Sequence, residues 1–123
     1  MPKQKHQHQS RVNKRSLGSQ YEQMARDYLK NLGYMILAQN FYSRFGEIDI
    51  IARDHEYIVF VEVKFRKTKR YGYPREAVTY YKKQHLIKAA EYFLLKYMGR
   101  ETACRFDVIE ILNDKLTHLK AVF

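Results

Sequence analysis

The chain holds one cysteine, Cys104, among 123 residues, which excludes an internal disulfide and the disulfide-stapled scaffolds of small secreted proteins. Cys104 falls in an apolar segment and reads as a buried, inert thiol. No apolar stretch approaches the roughly 18 residues of a spanning helix, and the N-terminus lacks the apolar core of a signal peptide. No membrane partner is expected, and the expected location is cytoplasmic. Acids are also scarce, with 13 Asp and Glu against 23 Lys and Arg, leaving a formal charge of +10 and a pI near 9.7. That excess favours a polyanionic partner such as nucleic acid. An anionic membrane surface is the weaker reading, because the basic residues gather in a tail and a loop rather than along an amphipathic helix.

What is present suits one domain. Residues 1–17 carry five basic residues, no acids and almost no large apolar groups, so they cannot offset the entropy of ordering. They are expected to form a flexible basic N-terminal arm, with 18–123 as the folded domain. Tyr21, Met24, Ala25, Tyr28 and Leu32 repeat at helical spacing and predict a helix over 19–32, stopped by Gly33. Strands follow over 34–38 and 48–52, then a turn over Arg53–Glu56. Tyr57 to Phe65 is rich in β-branched and aromatic residues and gives the strongest strand signal in the chain. Pro74 suits the first turn of a helix running to about Met98, and 105–112 and 115–122 read as a strand pair around Asn113-Asp114. This order predicts an α/β sandwich, a central mixed β-sheet flanked by helices, with the long helix as a crossover.

The chemistry concentrates at the end of the strongest strand. Alternation puts Ile58, Phe60, Glu62 and Lys64 on one face, which changes from apolar to charged partway along. Burying those charges is costly, so that half is expected to line a cleft. With Arg53–Glu56 as the loop, Ala52 pairs Tyr57, Asp49 pairs Phe60 and Glu47 pairs Glu62. Asp49 then lies diagonal to Glu62, about 7 to 8 Å between backbones, on the same face. Two carboxylates at that separation suit one divalent cation, and Mg²⁺, with Mn²⁺ as substitute, prefers such hard oxygen ligands. Lys64 is placed to orient attacking water and offset charge on a phosphorane.

Several flanking residues carry two readings. Ser19 to Glu22 has the spacing of a helix capping box. Glu47 is either a third acid beside the cation or an exposed residue at the strand's entrance. Lys82 lies in the stripe Val78, Lys82, His85, Ala89 and Phe93, facing the sheet, where a lysine reads as a phosphate contact or the partner of an active-site acid, against snorkelling outward. Arg66, Lys67, Lys69, Arg70 and Arg75, interleaved with Tyr71 and Tyr73, suit a loop contacting the nucleic-acid backbone. His85 reads as a packed histidine, and Asp107 as ordering the fold through hydrogen bonds.

The segments Gly46-Glu47-Ile48-Asp49-Ile50-Ile51 and Phe60-Val61-Glu62-Val63-Lys64-Phe65-Arg66 resemble the YraN family, also called UPF0102. So do Glu22, Ala25, Tyr28-Leu29, Gly33-Tyr34, Asn40, Ala77-Val78, Lys82 and Arg105-Phe106-Asp107-Val108. The resemblance covers about Gly18 to Leu112. It implies the restriction-endonuclease-like fold of the PD-(D/E)xK nucleases, a distant similarity to archaeal Holliday junction resolvases, and metal-dependent hydrolysis of DNA, with branched or junction DNA in view. Asp49, Glu62 and Lys64 then stand for the acid and the E-x-K of that motif, with Ile48 where the superfamily has proline. Glu22 would assist metal binding as the helix-one glutamate does in the resolvases, and Tyr21 replaces an expected glycine. A junction substrate implies a homodimer, though no interface is marked in the sequence. The alternative is a nucleic-acid-binding protein that keeps the fold without catalysis.

Overall fold

A computed structural model describes residues 18–66, 79–100 and 102–123. Helix α1 covers 18–31. Its inner stripe is Ala25 and Leu29, both fully buried, with Tyr21 and Tyr28 packed beside them. Met24 and Leu32, expected on that stripe, are 36% and 49% exposed and sit at its margins. Gly33 turns the chain with φ 92°, and the Tyr34 amide donates back to the Leu29 carbonyl at 3.0 Å. That left-handed residue closes the helix as a glycine C-cap does.

The strands are β1 (Met35–Ser43), β2 (Gly46–Asp54), β3 (Tyr57–Arg66), β4 (Cys104–Leu112) and β5 (Lys115–Leu119). They form one sheet in the order β1-β2-β3-β4-β5, antiparallel throughout except for the parallel β3–β4 pair. Between β3 and β4 runs α2 (Tyr80–Phe93), ending in a π-helical turn over Leu94–Met98. A parallel pair needs such a crossover. Each sheet face carries one helix. On the α1 side lie Ile50, Ala52, Val59, Val61, Ile109 and Ile111, and on the α2 side Ile48, Ile51, Ile58, Phe60, Leu86 and Phe93. The molecule is thus the expected α/β sandwich, and the opposed cores follow from the two-residue period of β3.

Three differences from expectation bear on the site. Pro74 does not start α2: Thr79 is its N-cap, with extended backbone and a side chain accepting from the Lys82 amide at 3.2 Å. A threonine hydroxyl satisfies a free helix amide at that start, and Pro74 lies outside the described residues. Second, β1 continues past Ala38, where the expected strand ends, through Gln39-Asn40 to Ser43. Asn40 takes φ 49° there, and the flanking pairs Gln39↔Ile50 and Phe41↔Ile48 put it opposite Asp49.

Third, the β2–β3 turn is only His55-Glu56, since Arg53 and Asp54 remain paired with Ile58 and Tyr57. The left-handed φ of 55° at His55 permits the tight reversal. The register therefore slips by two residues: Ile51, not Asp49, faces Phe60. Continuing it puts Asp49 straight across from Glu62 rather than diagonal to it. The alternation along β2 also breaks at Asp49, because Ile48 and Ile50 enter opposite cores.

Candidate active site

The site begins where β2 and β3 part. Their pairing reaches Ile50↔Val61, and the next β3 amide facing β2, Val63 N–H, donates to Asp49 Oδ2 at 2.8 Å. A side-chain carboxylate thus replaces a ladder carbonyl. The break in alternation at Asp49 is what turns its side chain toward β3.

Glu62 lies on the α2 face and is only 7% exposed. Lys82 Nζ donates a short hydrogen bond to its Oε1, and Lys64 Nζ stands 3.5 Å from the same oxygen. Lys82 is delivered by the first turn of α2, Lys64 by the strand two residues on. Lys82 therefore pairs with Glu62, an acid of the candidate site, rather than snorkelling outward. Burial works to lower the Lys82 pKa, but Glu62 outweighs it and the value is raised. At Lys64 burial, with Lys82 alongside, wins over Glu62 and the pKa falls below the ordinary lysine range. Two ammoniums on one carboxylate cannot both be fully compensated.

Asp49 is pushed up to about 7, first by burial and then by Glu62, with Glu47 and Glu22 adding; the Val63 amide opposes them. Glu47 is mostly exposed at the entrance of β2, and its carboxyl is also raised, by partial burial and by Glu22 and Glu62. Four acids therefore share one field. They do not form a cage: among the described residues no three His, Cys, Asp or Glu side chains converge to hold one ion. The three residues expected to hold a metal, Asp49, Glu62 and Glu22, do not form such a group. Glu22, on α1, is not one of a converging set, although its charge adds to those acting on Glu47 and Asp49. Nor does it belong to a capping box at Ser19, because residue 18 is already helical and an N-cap residue is not.

A family model described as "Uncharacterised protein family UPF0102" matches residues 21–111. The chain belongs to the UPF0102 family. A UPF0102 protein of Caldicellulosiruptor saccharolyticus is 47% identical over 100 residues, covering 81% of this chain and 85% of the relative. One from Persephonella marina is 46% identical over 106 residues, covering 86% and 91%, and one from Lachnoclostridium phytofermentans 42% over 113 residues, covering 91% and 96%. The UPF0102 match spans Asp49, Glu62, Lys64 and Lys82.

Elsewhere in this UPF0102 chain the expected basic interface changes. Arg66 Nε pairs with Glu110 at 3.1 Å, both side chains largely buried, so Arg66 ties β3 to β4 and is corrected from a nucleic-acid contact to a structural ion pair. The parallel register that brings them together is a long-range fact, invisible locally. Lys67, Lys69, Arg70 and Arg75 lie outside the described residues. Asp107 orders the fold as expected: its carboxylate, fully buried, accepts from His118 Nε2 at 2.7 Å, the Ala121 amide at 3.0 Å and Arg105 Nε at 3.1 Å. His85 is packed, its Nδ1–H donating to the Phe45 carbonyl at 3.0 Å. Cys104 is half-buried rather than buried, and burial pushes its thiol up, away from nucleophilic reactivity. No helix among the described residues is long and apolar enough to cross a membrane.

Proposed function

We propose that this UPF0102 chain is a metal-dependent endonuclease of the cytoplasm, hydrolysing DNA phosphodiester bonds, with branched or junction DNA as its substrate. The supporting observation is the pair Asp49 and Glu62 at the parting of β2 and β3, with Lys64 and Lys82 converging on Glu62. A surface that only binds phosphate gains nothing from acids where the phosphate must approach. The twofold symmetry of a junction favours action as a homodimer.

The donor set fits Mg²⁺, with Mn²⁺ as substitute. Mg²⁺ commonly uses one or two carboxylates and fills its octahedron with water and phosphate oxygens, so two acids suffice. Burial first, and after it the charge of Glu62, lifts Asp49 to about 7, and the repulsion between the two carboxylates is what a divalent cation would relieve. Asp49 and Glu62 would hold it, and when bound it would supply Lewis-acid polarisation of the phosphoryl group and an acidified water. Lys64, whose depressed pKa marks a poorly compensated ammonium, orients the attacking water and offsets charge on the phosphorane. Lys82 neutralises Glu62 in the metal-free protein and is available to the phosphate. The Val63 amide fixes the Asp49 carboxylate, which lowers the ordering cost of catalysis.

The test is incubation with duplex, single-stranded and four-way junction DNA, in Mg²⁺ or Mn²⁺ and in EDTA. Metal-dependent cleavage, greatest on the junction and lost in Glu62→Ala, supports the proposal. Cleavage unchanged in the variant refutes the assignment. A second reading, a non-catalytic nucleic-acid-binding protein, draws on the Lys82–Glu62 pair, since a lysine already neutralises one acid. Binding to all three DNAs with no cleavage in either metal decides for it.

A further inference from the structure

Beside the acids lies an open groove of about 540 Å³ between the β1–β2 hairpin tip and the first turns of α2. Its walls include Arg44, Phe45, Glu47, Tyr81, Lys82 and His85. The hairpin tip is fixed to the helix, because the Phe45 carbonyl accepts the His85 Nδ1–H and Gly46, at φ 133°, lets the chain reverse against His85. Only glycine adopts that φ without strain. The Arg44 guanidinium lies 4.8 Å from the Phe45 ring centroid, and Tyr81 sets its ring against His85 at 4.4 Å while remaining 74% exposed.

Resting on the nuclease reading, we propose that this groove takes one unpaired nucleotide of the substrate strand, its base on Tyr81 and its phosphate toward Arg44 and Lys82. Three features favour that occupant. The volume falls within the range of small-ligand sites. The lining combines exposed aromatic faces with cations, the pairing that holds single strands irrespective of sequence. Lys82 is shared between the groove and Glu62, so a nucleotide seated there has its phosphodiester beside the acids. A stacked base in a duplex cannot enter such a groove without leaving its partner, and an unpaired one pays least for doing so. The groove therefore selects strands with unpaired nucleotides, which branched DNA supplies.

The test is metal-free binding of the full chain to a labelled oligodeoxythymidylate and to a blunt duplex of equal charge, by fluorescence anisotropy. Tyr81→Leu is expected to weaken oligodeoxythymidylate binding by about five- to 150-fold, the range of one lost stack, and to leave duplex affinity and Tm unchanged. Tyr81→Phe is expected to retain binding. An equal loss on both DNAs, or none on the oligodeoxythymidylate, overturns the groove. EDTA separates this result from catalysis: binding through Tyr81 in a chain that cuts no DNA refutes the nuclease reading alone. Cleavage that requires Glu62, with Tyr81→Leu binding normally, refutes the groove alone.

Discussion

The Asp49 carboxylate accepts the Val63 amide at 2.8 Å at the point where backbone pairing between β2 and β3 stops. The same contact spares a sheet amide from solvent and holds an acid beside Glu62. Folding here tolerates a charge it would otherwise relieve, and the consequence is measurable.

Asp49 carries a pKa raised from 3.8 to about 7. The folded state then holds the proton more tightly than the unfolded state, so stability is greatest at low pH and falls as pH rises from about 4 to about 7. Asp49→Asn removes that loss while its amide oxygen still accepts the Val63 N–H. In EDTA the variant should match wild type near pH 4 and exceed it increasingly as pH rises to about 7. Thermal melts across pH check this. Mn²⁺ should raise the Tm of wild type and leave that of Asp49→Asn unmoved, and an equal response would separate Asp49 from the metal.

Lys82→Met leaves Glu62 with the more distant Lys64 as its remaining lysine partner. Because the lysine is about a third exposed, the expected loss is about 1 to 2 kcal/mol rather than the full cost of breaking a buried pair. Urea unfolding of Lys82→Met, Glu62→Gln and the double variant forms a cycle. A coupling near zero would mean that the pair is not made in solution.

Arg66 and Glu110 join β3 to β4 with both side chains mostly out of water. Arg66→Ala should cost about 2 kcal/mol in stability by stranding the Glu110 carboxylate. Its affinity for DNA, measured on the folded variant, should keep the wild-type salt dependence. A normal Tm together with a salt slope reduced by about one would restore Arg66 as a phosphate contact.

Burial works to raise the Asp107 carboxyl, but His118, Arg105 and the Ala121 amide overcome it and hold the pKa below the ordinary aspartate value. Its contribution is therefore full above the unfolded value of about 4 and lost as pH falls through the folded value. Asp107→Asn should destabilise by about 2 kcal/mol or more at neutral pH, with the deficit shrinking in acid. A deficit that grows in acid would reverse the assignment.

Much of this molecule was legible in the sequence because the signals are local. The run Tyr57 to Phe65 announced the central strand, Gly33 the end of α1, and the stripe through Lys82 placed a lysine against the sheet facing an acid. What escaped depended on backbone conformations that side-chain pattern does not encode. Left-handed residues at Asn40 and His55 lengthened β1, shortened the β2–β3 turn and slipped the register, which moved Asp49 from diagonal to opposite. The start of α2 at Tyr80 rests on the Thr79 cap, a hydrogen bond that exists only once the helix does. Arg66 looked like part of a basic loop until the β3–β4 register supplied Glu110 from across the chain.

The central claim is that Asp49 and Glu62 support hydrolysis of DNA. The most direct measurement is the single-turnover rate on four-way junction DNA in saturating Mg²⁺, comparing wild type with Glu62→Gln of matched Tm and DNA affinity. The account predicts a rate lower by about a hundredfold or more in the variant, with EDTA abolishing both. A variant that cuts as fast as wild type, or wild-type cutting that persists in EDTA, would contradict it.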